Sequence, residues 1–65
     1  MRISLNGEAR EIDARTLAEA MTALDFAGAV VATAVNGRFV PATMRGNFEL
    51  TEGDEIEVVA PMQGG

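Results

Sequence analysis

At 65 residues the chain is long enough for one domain around one small hydrophobic core. It has no cysteine, histidine or lysine, which excludes disulfides, thiolate and imidazole metal sites, Ser-His and Cys-His nucleophiles, and Schiff-base chemistry. About half the residues are apolar and the net charge is −5, so the chain is expected to fold and to be repelled by nucleic acid and anionic lipid.

Residues 1–6, MRISLN, alternate apolar and polar and predict a half-buried strand with Met1, Ile3 and Leu5 inward. Asn6-Gly7 is a strong hairpin signal, because both positions of its turn need positive φ. EAREID then returns as a weaker strand with Ile12 as its one clear core residue. From Thr16 the period changes to 3.6: Leu17, Ala20, Met21 and Leu24 share a face, and Thr16 with Glu19 forms a capping box. A helix of about ten residues stopping near Gly28 is expected. The β-branched, apolar run AVVATAVNG predicts a well-covered strand ending at a second turn, Asn36-Gly37. RFVP continues beyond it, ATMRGN reads as irregular, and FEL (48–50) as a short edge strand. After a turn at Glu52-Gly53-Asp54, EIEVV predicts a strand with Ile56 and Val58 inward and Glu55, Glu57 and Val59 outward.

This order predicts an α+β domain over residues 1–60, a sheet of four or five strands with one helix across one face. The expected core includes Ile3, Leu5, Ile12, Leu17, Met21, Leu24, Val31, Val35, Ile56 and Val58. The other face is open to solvent, and Phe39, Val59 and Met62 are candidates for an apolar patch on it. No stretch is long and apolar enough to span a bilayer and no signal-peptide pattern opens the sequence, so a cytoplasmic setting is the expectation.

Charge is uneven. Residues 1–45 hold five arginines and five acids, whereas residues 46–65 hold Glu49, Glu52, Asp54, Glu55 and Glu57 and no base. That block either steers a basic partner to the C-terminal end or is a solvated strand face. Carboxylate pairs within it, such as Glu55 and Glu57, lack the cavity that acid–base catalysis needs.

Pro61 cannot donate a ladder hydrogen bond, so 61–65 is expected to leave the sheet as a flexible tail. Five extended residues reach roughly 16–18 Å. Pro61, Met62, Gln63 and Gly64 are thus candidates for insertion into a partner, and Gly64-Gly65 has no Cβ to obstruct a narrow channel. A terminal carboxylate is a poor electrophile until adenylated, after which AMP is a good leaving group. By itself the glycine pair is either an incidental end or the group that the domain presents.

AVNGRFVP at 34–41, LTEGDEIEVV at 50–59 and above all PMQGG at 61–65 resemble the ThiS family, ubiquitin-like β-grasp sulfur carriers of thiamine biosynthesis. The resemblance runs the full length, although Ala42 and Arg45 stand where many members have an arginine and a tryptophan. It implies a β-grasp fold and a carrier with no bound cofactor, no metal site and no catalytic residue of its own. It further implies that a partner adenylating enzyme uses ATP and Mg²⁺ to activate Gly65. A sulfur-donor enzyme then supplies persulfide sulfur, and thiazole synthase accepts it from the thiocarboxylate. Phe39, Glu55, Glu57 and Val59 are the expected docking residues. Three other readings stay open: a carrier for molybdopterin synthesis, a ubiquitin-like protein modifier, and a plain binding module whose glycine pair is incidental.

Overall fold

The computed structural model describes residues 1–60; the expectations for residues 61–65 fall outside the described residues. Five strands and one α-helix follow one another as β1 (Arg2–Leu5), β2 (Glu8–Glu11), α1 (Leu17–Ala23), β3 (Ala32–Val35), β4 (Arg38–Val40) and β5 (Glu55–Val59), with a 3₁₀ helix at Ala42–Asn47. They form one mixed sheet in the order β2-β1-β5-β3-β4. The last strand therefore lies at the centre, parallel to β1 and antiparallel to β3.

Both Asn-Gly turns form as expected. Asn6 and Gly7 adopt φ of 50° and 88°, and Asn36 and Gly37 adopt 51° and 82°, the paired positive values that a two-residue hairpin with right-twisted strands requires. Each asparagine does more than turn the chain. The Asn6 amide accepts from the Val58 N–H at 2.9 Å and donates to the Val58 carbonyl at 3.2 Å. It thus extends the β1–β5 ladder past Leu5. The Asn36 amide accepts from the Glu55 N–H at 2.9 Å and donates to Asp54 Oδ1 at 3.0 Å. The central strand is clamped at both ends by the turns of its neighbours.

The helix starts where the capping box places it: the Glu19 N–H donates to Thr16 Oγ1 at 3.2 Å, while Glu19 Oε1 accepts from the Arg15 N–H at 2.7 Å. It is shorter than expected, seven residues, and Gly28 is not its stop. Asp25 takes the left-handed position with φ 72°. The Phe26 N–H then bonds back to the Met21 carbonyl and the Asp25 N–H to the Thr22 carbonyl, at 2.7 and 3.1 Å, a Schellman closure. Gly28 lies in the loop beyond, also at positive φ.

The helix buries Leu17, Ala20 and Met21 against Ile3, Leu5, Val35, Val40, Ile56 and Val58 from the sheet, with Ile12, Ala14 and Leu50 closing the edges. Leu24 and Val31, expected in the core, are only partly buried against it. The AVVATAVNG segment is not well covered. Pairing begins at Ala32, its burial alternates, and Val30 before it is 80% exposed. FEL forms no strand of the sheet: Glu49 makes an isolated bridge with Thr16, and Leu50 N–H donates to the Arg15 carbonyl at 2.8 Å. These bonds pin the segment under the start of the helix, which is why Leu50 is buried.

Arg45, one of the two departures from the family pattern, ties the 3₁₀ helix to the sheet. Its Nη2 donates to the Val31 carbonyl at 2.7 Å and its Nε to Thr33 Oγ1 at 3.0 Å. Thr33 is buried, and its own hydroxyl donates to the Val40 carbonyl at 2.8 Å. Among the described residues no buried side-chain polar atom lacks a partner.

Candidate functional site

Period two along each strand decides what the uncovered face displays. With Ile56 and Val58 buried, β5 turns Glu55, Glu57 and Val59 outward. β3 sets Ala32 and Ala34 between it and β4, where Phe39 points away from the buried Val40. Register makes these positions contiguous. Phe39 pairs with Ala34 and Ala34 with Glu57, while Ala32 pairs with Val59. The two small alanines leave Phe39 and Val59 standing proud, 68% and 63% exposed. On the other side of β5, Ser4 pairs with Glu55.

The four expected docking residues therefore share one face. An open apolar depression of about 290 Å³ adjoins it, lined by Val30, Val31, Ala32, Val59 and Ala60. Val30 and Ala60 are not evident as surface residues from the sequence pattern. The apolar run at 29–35 looked like buried strand, and only the register, which starts at Ala32, shows that Val30 is surface. Ala60, the last described residue, lines this depression. Met62, the third member of the expected apolar patch, lies outside the described residues, as do Pro61, Gln63, Gly64 and Gly65.

The acidic block is not a single surface. Asp54 is buried and holds the turn before β5, accepting from the Thr51 N–H at 2.8 Å, the Thr51 hydroxyl at 3.0 Å and the Asn36 amide at 3.0 Å. Burial pushes its carboxyl up, but the bonds from Thr51 and Asn36 outweigh that and hold it below the usual aspartate range. Glu52 accepts from the Arg2 N–H at 3.1 Å, and Glu49 lies at the bridge to Thr16. Glu55 and Glu57 are the acids of the block that face outward from β5. Arg2 does not neutralise them, since it lies 3.9 Å from Glu11 on the β2 side.

Because the Asp54 carboxylate is favoured in the fold, its contribution to stability is complete above the ordinary value of 3.8. It is lost as pH falls through the lower folded-state value. We expect the urea midpoint to drop as pH falls from 3.8 toward and through that lower value. Asp54→Asn should be less stable at neutral pH and show a flatter dependence there. An unaltered acid limb in this variant would remove Asp54 from the account.

Among the described residues no helix is long and apolar enough to cross a membrane, and no three Asp or Glu side chains gather as metal ligands. A mixed five-stranded sheet among the described residues, with one helix packed across one face and the other face bare, defines a ubiquitin-like β-grasp protein. The chain belongs to the ThiS family of small sulfur carriers, whose family model matches residues 3–65. Its fold is similar to the crystal structure of a thiamine biosynthesis protein (ThiS) from Geobacter metallireducens, with a TM-score of 0.85 and 26% identity over all of both chains. A solution structure of a thiamine biosynthesis protein from the same organism gives a TM-score of 0.77 at 26% identity, covering all of this chain and 88% of that one. Comparison with curated protein sequences gave no match.

Proposed function

We propose that the chain carries sulfur for thiamine biosynthesis as a thiocarboxylate on Gly65. The observation that carries this reading is that the family match extends to residue 65 and so includes the glycine pair. Two further observations support it: two solved structures similar to this chain are of thiamine biosynthesis proteins, and the candidate docking face adjoins Ala60, the last described residue.

In this reading a partner adenylating enzyme binds the open face and takes Pro61, Met62, Gln63 and Gly64 into its active site. With ATP and Mg²⁺ present, the Gly65 carboxylate attacks the α-phosphorus and expels pyrophosphate. A persulfide sulfur from a donor enzyme attacks the acyl carbon and expels AMP, and a thiol cleaves the remaining S–S bond to free the thiocarboxylate. Thiazole synthase then takes the sulfur. The chain's own part is presentation. It positions the tail, supplies glycines without Cβ atoms, and has no cysteine or lysine to capture its own activated acyl group. Its chemistry is that of a carrier and co-substrate, in the cytoplasm where ATP is available.

The test is intact-mass analysis after incubation with an adenylating enzyme of this family, ATP, Mg²⁺ and a persulfide donor. Replacement of one oxygen by sulfur, located at Gly65 by fragmentation, is the expected result. No gain where an established carrier reacts would overturn the reading. Transfer to thiazole synthase, and not to a molybdopterin synthase large subunit, is expected when both acceptors are offered.

Docking has its own signature. The double variant Glu55→Arg, Glu57→Arg should bind the adenylating enzyme about tenfold more weakly at low ionic strength, mainly through a slower on-rate, with the difference shrinking as salt rises. Equal affinities at low salt would show that the acids merely solvate the strand.

A further inference from the structure

The two hairpin asparagines are the residues whose chemistry the carrier function leaves unused. Each is followed by glycine, which leaves the next backbone nitrogen unshielded by a side chain and so able to reach the asparagine's own Cγ. Both are surface positions, yet neither amide is free. Asn6 holds both backbone polar groups of Val58, and Asn36 holds the Glu55 N–H and Asp54 Oδ1. We propose that Asn6 and Asn36 are deamidation sites which the fold protects by clamping their amides to β5, and that modification at either site loosens that strand.

The step is hydrolytic and needs only water. The Gly37 nitrogen attacks Cγ of Asn36, its proton passes to the departing Nδ2, and ammonia leaves a five-membered imide. Water then opens either C–N bond, giving aspartate or its isomer with one more carbon in the backbone. Gly7 acts likewise on Asn6. For the nitrogen to approach, the amide must rotate off β5, breaking two hydrogen bonds at each site. Reaction in the native state therefore follows the population of locally opened molecules.

The product does not fit back. At residue 36 a carboxylate oxygen replaces the Nδ2 that donated to Asp54 Oδ1 at 3.0 Å, so two anionic oxygens face each other. At residue 6 an acceptor replaces the donor that faced the Val58 carbonyl at 3.2 Å. The longer isomer also disturbs turns that depend on paired positive φ. Because β5 displays Glu57 and Val59 and leads to the tail, the modified chain has a disordered carrier face. Asn36 is the more damaging of the two sites, since its product places like charges together.

The experiment incubates the folded protein at mildly alkaline pH beside the same protein in urea, and follows the amide-to-acid mass change by peptide mapping. Deamidation at both sites is expected to be at least about tenfold slower in the folded protein, as for groups that react only on opening. The variants Asn36→Gly and Asn6→Gly, which keep the turn conformation, should each lose one site from the map. Asn36→Asp, the product analogue, should lower the urea midpoint by about 1 M or more at neutral pH. Equal rates in the folded and urea-treated protein would overturn the protection. A midpoint unchanged in both Asn36→Asp and the aged protein would overturn the loosening of β5.

Discussion

Replacing Ile56 by alanine is expected to leave the domain largely unfolded at room temperature. Ile56 is fully buried on the central strand, opposite Leu5 of β1 and Val35 of β3, both also buried. Truncation removes three carbons where three strands meet, at a cost of about 2–5 kcal/mol. A single core in a chain of this size rarely supplies more than ~3–5 kcal/mol in total. Circular dichroism with urea titration is the check: Ile56→Ala should show little or no cooperative transition, and Ile56→Val should keep one at a reduced midpoint. Val59→Ala provides the contrast. It lies three residues away on the same strand but on the open face, so its midpoint should move by no more than about 0.5 kcal/mol equivalent. Near-native stability in Ile56→Ala would mean that the sheet centre is not what holds the domain.

The alternation of Ile56 and Val58 with Glu55, Glu57 and Val59 could be read directly, because side chains on a strand have a period of two wherever it sits. The Asn-Gly turns were legible for a similar reason: their φ requirement is confined to two residues. The capping box at Thr16 and Glu19 belongs to the same class.

What the chain did not reveal depends on partners distant in sequence. The helix ends at Ala23 and the chain turns off at Asp25, a residue that tolerates the left-handed region less well than Gly28, because two backbone bonds from Asp25 and Phe26 close the end there. Residues 48–50 pair with the approach to the helix instead of the sheet, a choice fixed by contacts across more than thirty positions. The second duty of Asn6 is to bind Val58, 52 residues later, and no local pattern encodes that. The acidic block looked uniform in sequence, but burial and three hydrogen bonds make Asp54 a structural residue while Glu55, its neighbour, faces solvent. The candidate face, apart from Val30 and Ala60 at its edge, was thus foreseeable residue by residue. Its layout, with Phe39 and Glu57 separated by an alanine, was not.

Deleting Gly65 is expected to abolish thiocarboxylate formation while leaving the fold intact, the reverse of the Ile56→Ala result. Among the described residues every buried apolar side chain lies between Ile3 and Val58, so the core does not depend on residue 65. The urea midpoint should match that of the native chain. The chemistry has no such margin. Without Gly65 the terminal carboxylate is carried by Gly64 and falls short by one residue, about 3.3–3.6 Å of extended chain. In-line attack on the α-phosphorus needs reacting atoms within about 3–3.5 Å, so a shortfall of that size removes the near-attack geometry. Intact-mass analysis with the adenylating enzyme, ATP and persulfide should show no sulfur incorporation. Pyrophosphate release should fall by at least about 100-fold, the penalty expected for misplacing a reacting group by an ångström or more. Binding to the enzyme should weaken far less, because the face formed by Phe39, Glu55, Glu57 and Val59 is untouched. Sulfur incorporation at Gly64 at the native rate would show that the partner reads the domain and not the length of its tail. In that case the carboxylate position would be set by something other than the reach from Ala60.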